Sequence, residues 1–181
     1  VEWLEKERGA EPLATLVRAL PEEDQKAFAV GRPALGLLAA TWYPAELVHR
    51  FLDQLTAGLG EGQQELMARR GAEAIMSANL RGVYKSIFGL VVSPRLYAFS
   101  IQQIWDMHYD SGTVRIVDVG RAGHRSTISG WRAHHPFACL LNQAATYPIY
   151  EAMGCREVVA RREACQSQGA AACVFLVEWE P

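Results

Sequence analysis

The chain has 181 residues, half of them hydrophobic, and its 18 basic and 20 acidic side chains leave a formal charge of -2. That is apolar material for one core of ordinary size rather than two, so a single domain over residues 1–181 is expected, with a helical extension over 1–40 and the main core over 41–181. The near balance of charge offers no field to draw in a polyanion, which argues against nucleic acid, and no apolar run reaches the ~18 to 20 residues that cross a bilayer.

The opening residues, VEWLEKERGAEP, are charged and have neither the basic start nor the apolar centre of a signal peptide. Four cysteines are too few for a disulfide framework, so a reducing cytoplasm is expected. Leu13, Leu16, Val17 and Leu20 then share one helical face that Pro21 ends, and Pro21 can begin a second helix, PEEDQKAFAV. In TWYPAELVHRFLDQLTAGLG, Leu47, Phe51, Leu55 and Leu59 recur every four residues as a buried stripe that Gly58 and Gly60 close. A helix from about Gly62 to Leu80 carries a face of mostly small residues, Met67, Gly71, Ala74 and Ala78, which lets another element approach closely. A further helical stretch, GVYKSIFGLVV, stops at Ser93-Pro94. The next helix opens with Ser93 as cap and Pro94 in its first position, and it presents Tyr97, Ile101, Ile104, Trp105 and His108 along one side.

After Gly112 the apolar period changes from about 3.6 to 2. TVRIVDVG and HRSTISGW read as a hairpin, HPFACLLNQAATYPIYEAMG as a helix that Pro148 should kink or divide, and REVVARREA and ACVFLVEW as a second hairpin around QSQGAA. The order of helices, hairpin, helix, hairpin predicts an α+β fold, with helices packed on one face of a four-stranded antiparallel sheet.

Three of the four cysteines fall where the last two elements could bring them together. Cys165 and Cys173 flank the turn of the second hairpin, and Cys139 stands in the first helical turn of HPFACLL, where unpaired N–H groups favour a thiolate. Zinc would accept three such sulfurs and needs a fourth ligand, for which Glu163, His134 and His135 are nearest in sequence. The competing reading makes them small apolar core residues, since no tight pair such as C-x2-C occurs. Cys155 belongs to neither grouping and reads as core. His134 and His135 beside Cys139 also permit a nucleophilic pair on paper, but no third orienting group is apparent, and the chain has no P-loop, GxGxxG or HExxH, so an enzyme is not expected.

The segment HPFACLLNQAATYPIYEAMGCREVVARREACQSQGAAACVFLVEW resembles the end of the 4-vinyl-reductase-type ligand-binding domain. The pattern is a Cys leading a helix, a Gly, a strand ending in Cys, a short turn with Gly, and a Cys before alternating apolar residues. The 26-residue step from Cys139 to Cys165 and the eight-residue step to Cys173 are similar to those of aromatic-compound-sensing members, which bind zinc through three cysteines and a glutamate. The resemblance implies a metal site at Cys139, Cys165 and Cys173, with Arg162 standing where those members carry the glutamate. The wider superfamily includes tethering subunits of Golgi transport and, in fold, nitric-oxide-signalling ligand-binding domains; by analogy with the latter, His108 becomes a candidate haem ligand. The N-terminal part, LVRALPEEDQKAF through TWYPAELVHRFLDQL, is similar to an uncharacterised myxobacterial family.

These readings together imply a non-enzymatic sensory or regulatory domain that binds a small hydrophobic molecule and signals to a partner or an attached domain. Tyr97, Trp105 and Trp131 are the expected walls of its cavity, because aromatic rings supply apolar surface and a polar handle. The alternative is an interaction module with a filled core. A homodimer is expected in either case, since Leu13, Leu16, Leu20, Phe28, Leu35, Leu37 and Leu38 are many apolar residues for an extension on a one-sheet domain.

Overall fold

The computed structural model describes residues 1–38, 41–81 and 93–180, and the side chains of 78–81 are left aside, so the helix expected over GVYKSIFGLVV lies outside the described residues. The chain divides into two compact units, Val1–Gln64 and Glu65–Pro181.

The first unit is helical: α1 (Glu2–Arg8), α2 (Ala10–Arg18), α3 (Glu22–Gln25), a 3-10 turn over Pro33–Gly36, and α4 (Ala45–Thr56). The charged opening of the sequence forms α1, which places Glu2 and Glu5 in its first turn and Lys6 and Arg8 in its last, the order that suits the helix dipole. Only Leu4 of α1 is buried, so periodicity gave it no signal. The helix expected over PEEDQKAFAV is confined to Glu22–Gln25. Asp24 in it is buried and accepts from two guanidinium nitrogens of Arg50 on α4, Nε and Nη2, which ties the short helix to its neighbour. Leu13, Val17, Leu20, Leu35, Leu47, Phe51, Leu52 and Leu55 are buried, and Phe28 stacks on Phe51 at 5.5 Å.

Helix α5 (Glu61–Arg81) leads into the second unit, which continues with α6 (Pro94–Asp106), β1 (Thr113–Asp118), β2 (Gly123–Ser129), α7 (Pro136–Ala152), β3 (Arg156–Ala164) and β4 (Ala172–Glu180). On α5, Met67 and Gly71 are buried as the small-residue face requires, together with Ala68, Ala72 and Met76. Ser93 caps α6 by accepting the Leu96 N–H at 3.3 Å, while α7 runs through Pro148 as one element. The strands form one antiparallel sheet in the order β1-β2-β4-β3, so the two hairpins meet along β2 and β4, with Ile128 opposite Cys173 and His124 opposite Val177.

The fold is therefore α+β, four antiparallel strands with helices. One sheet face carries Val114, His124, Ile128, Ala160, Cys173, Phe175 and Val177, all buried, and with Tyr97, Ile101 and Trp105 of α6 and Cys139 and Tyr150 of α7 these make one core. The opposite face carries ion pairs between Arg125 and Glu163 and between Arg161 and Glu178. Among the described residues no helix is long and apolar enough to cross a membrane.

Candidate functional site

The sheet and α7 deliver three thiols to one point. Cys139 sits in the first turn of α7, and Cys165 and Cys173 close the β3–β4 hairpin, whose turn is a 3-10 segment over Gln166–Gln168 followed by Gly169. Cys139 and Cys173 are 3.6 Å apart at sulfur, Cys165 and Cys139 3.6 Å, and Cys165 and Cys173 3.9 Å. All three are fully buried free thiols. His134 completes the group, its Nε2 lying 3.5 Å from Cys165 Sγ, and the four donor atoms all fall within 4.8 Å of one another.

Of the three fourth partners suggested by sequence, the structure brings in His134 alone. Glu163 is on the outer sheet face, paired with Arg125 at 2.9 Å, and lies in the register shift between Arg162 and Ala164. His135 is the N-cap of α7, its Nδ1 accepting the Phe137 N–H at 3.1 Å. Cys155 is buried at the start of β3, outside the group.

The sulfurs differ in their hold on the proton. Burial, with the neighbouring Cys173 and Cys165, pushes the Cys139 thiol well up; its own N–H is already bonded to His135 O, so the expected thiolate at a helix start does not arise there. Burial also works to raise Cys165, but hydrogen bonds with the Ser167 side chain and backbone and with the Cys139 and Cys173 thiols together outweigh it and bring this thiol below its ordinary value. Cys173 stays above, raised by burial against the Gln166 N–H.

The aromatic residues singled out by sequence are all buried. Tyr97 meets Tyr150 edge-on at 5.7 Å. Trp105 stacks on Tyr109 at 4.1 Å, meets Trp131 at 5.1 Å, and donates its Nε1–H to Ser111 O at 2.9 Å. Gly112 permits this junction: its φ is 99°, and a Cβ there would stand 3.2 Å from Trp105 Nε1 and 3.3 Å from Trp131. Trp131 also faces the His134 ring at 5.2 Å, so the aromatic group adjoins the thiol group. Its buried Nε1–H has no hydrogen-bond partner among the described residues.

A second polar group escaped the sequence reading. His124, on the core face of β2, has Nδ1 2.6 Å from the Tyr150 hydroxyl and Nε2 3.1 Å from Asp118, whose carboxylate is exposed. The signal was present: in HRSTIS the period of two that buries Ile128 also buries His124. His108, the residue considered for haem, is exposed beyond the end of α6 with Nδ1 2.8 Å from Ile104 O.

No protein-family model and no curated protein matches the sequence. Solved structures do match its fold over almost the whole chain. Fe(II) unliganded H-NOX protein from K. algicida is 14% identical, with 99% of this chain and 94% of that one covered at a TM-score of 0.68. An H-NOX protein from S. oneidensis in the Fe(II)NO state is 12% identical, with 98% and 93% covered at 0.64. A structure solved to probe heme distortion in the H-NOX family is 8% identical, with 99% and 92% covered at 0.64. At these identities the likeness shows the fold alone, one that the sequence reading had related to nitric-oxide-signalling ligand-binding domains.

The comparison corrects the expectation of zinc as cofactor. The metal named in the solved proteins of this fold is iron, with heme named in one of them, and zinc is carried no further. Haem in turn does not fit the histidines of this chain. Of the two that are buried, His124 has both ring nitrogens engaged, by Tyr150 and Asp118, and His135 has its Nδ1 taken by the Phe137 N–H, while the sheet-facing side of α6 carries Tyr97, Ile101 and Trp105.

Proposed function

We propose that this chain is a non-enzymatic sensory or regulatory domain that passes the state of a buried site to a partner or an attached domain, and that the site is His134, Cys139, Cys165 and Cys173 holding one thiophilic metal ion. The observation that carries the proposal is the spacing of the donors. The four donor atoms lie within 4.8 Å of one another, with the three sulfurs 3.6 to 3.9 Å apart and the His134 Nε2 3.5 Å from Cys165, and soft sulfur donors this close suit a thiophilic ion rather than a hard one. An ion there would join the start of α7 to the β3–β4 turn, so occupancy would bear on a helix and a hairpin together. The use of this fold by proteins solved with nitric oxide bound or as unliganded Fe(II) supports the sensory class.

Elemental analysis of protein purified without chelator tests the site. About one metal ion per chain is expected in the parent protein and in Cys155→Ser, and at least a tenfold loss in Cys165→Ser. Metal-free parent protein in which every cysteine reacts as a free thiol on unfolding would remove the proposal.

The Trp131 Nε1–H, unpaired among the described residues, favours a second element of the reading, a small hydrophobic ligand bounded by Tyr97, Trp105 and Trp131. A buried donor with no acceptor is uncommon in proteins, and a ligand oxygen or nitrogen would satisfy it. Solvent extraction of the purified protein followed by mass spectrometry should release such a molecule, and Trp131→Phe should reduce its yield. Self-association as a homodimer belongs to the same proposal.

A further inference from the structure

We infer that this chain uses the H-NOX fold without a histidine-ligated haem. An imidazole binds haem iron through a nitrogen lone pair, and its other nitrogen keeps the proton, held by a carbonyl or carboxylate. The sequence has five histidines, all within the described residues.

His124 is the most buried, and both nitrogens are engaged. Nε2 faces the Asp118 carboxylate, which requires the proton there, and the lone pair on Nδ1 then accepts the Tyr150 O–H. In His135 the Nδ1 lone pair accepts the Phe137 N–H as the cap of α7, which leaves the proton of the neutral ring on Nε2. His134 points its Nε2 at Cys165 within the thiol group. His49 is half-buried on α4 and stands two residues on from Leu47, turned away from the stripe of Leu47, Phe51 and Leu55. His108 has the tautomer of a ligand: Nδ1–H donates to Ile104 O, and Nε2 keeps its lone pair. That ring, however, is exposed beyond the end of α6 instead of facing an apolar wall.

The core face of α6 leads to the same conclusion by a separate route. Its buried row is Tyr97, Ile101 and Trp105, with no imidazole. Among the described residues the rings along it are in contact with their neighbours, Tyr97 with Tyr150 at 5.7 Å, Trp105 with Tyr109 at 4.1 Å and with Trp131 at 5.1 Å, so a flat macrocycle has no slot between these pairs.

The test is an anaerobic titration of the reduced full chain with ferrous haem, followed by visible absorption before and after carbon monoxide. It is run beside His49→Ala, His108→Ala, His124→Gln, His134→Ala and His135→Ala, each checked for native circular dichroism. The expected result is the spectrum of haem in buffer, or an association that none of the five substitutions changes. A saturable one-to-one complex with a carbon-monoxide-shifted band, abolished in any one folded variant, would overturn the inference. His108→Ala is the variant best able to produce that result. Because the titration reads histidine ligation through the five variants, whereas the metal analysis reads bound ion and free thiols, the two outcomes are separate.

Discussion

At the scale of single residues, His124 links an exposed acid to the core. Burial lowers the affinity of its ring for a second proton, and the neighbouring Asp118 carboxylate only partly restores it, so its folded-state pKa lies below the ordinary 6.5. The unfolded chain, with the higher pKa, binds the proton more readily in the interval between the two values, so stability rises with pH across that interval. The contribution is fully present above about pH 6.5 and is lost as the pH falls towards the folded value, at most about 1.4 kcal/mol per pH unit. Protonation would also reverse the Tyr150 bond: Nδ1–H would become the donor, and a phenol buried against Tyr97 and Trp179 would lose its acceptor. Urea unfolding between pH 7.5 and 5 should show the midpoint falling below about pH 6.5, and His124→Gln should flatten that fall. An unchanged pH dependence in the variant would show that another group is responsible. Asp118→Asn should extend the fall to lower pH and deepen it, because it removes the charge that holds the ring's folded-state affinity up while the onset near pH 6.5 is unchanged.

At the scale of elements, the β3–β4 hairpin does the most to build the site. Its turn carries Cys165 at the end of one strand and Cys173 at the start of the next, and Gly169 closes it at φ 84° and ψ 5°, a left-handed conformation that costs other residues about 1 kcal/mol. An added Cβ at Gly169 would meet nothing within 4 Å, so Gly169→Ala isolates the backbone term. A loss of about 1 kcal/mol in denaturant unfolding is expected, with metal content kept. A loss several times larger would mean that the turn is constrained by more than its dihedral angles.

Much of this hairpin was legible, because a period of two and a polar turn with glycine determine strand limits to within a residue. The approach of Cys165 to Cys173 followed from that pairing, and Cys139 joined them through the spacing of the family the chain resembles. The choice of fourth donor did not: the shift in register at Arg162 and Ala164, with Glu163 between them, has no mark in an alternating pattern, and neither does the path of Trp131–His135 that brings His134 in place of Glu163. Helix α1 was missed for a related reason, since a helix that buries only Leu4 shows no stripe, and the helix after Pro21 was overextended because its pattern does not record that Asp24 is held by Arg50.

At the scale of the whole molecule, the α+β order was readable from one change of period at Gly112, and H-NOX structures reproduce that order at 8 to 14% identity. The source of a dimer contact was less readable. Of the N-terminal apolar residues expected to face a second copy, Leu13, Leu20 and Leu35 are buried, while Leu38 is exposed. The larger exposed apolar row is on α6 and just past its end: Leu96, Phe99 and Met107, with Phe99 87% exposed, follow helical spacing on the side opposite Tyr97, Ile101 and Trp105. A self-associating chain would cover such a row, since a two-fold axis places the same patch on both copies and each Phe99 would find apolar surface. Sedimentation equilibrium at tens of micromolar should therefore give about twice the chain mass of 20.1 kDa. Phe99→Glu should reduce it to one chain without altering circular dichroism, because the substituted side chain lies outside the core. A parent protein that sediments as a monomer would refute the dimer, and a dimer that survives Phe99→Glu would place its contact away from α6.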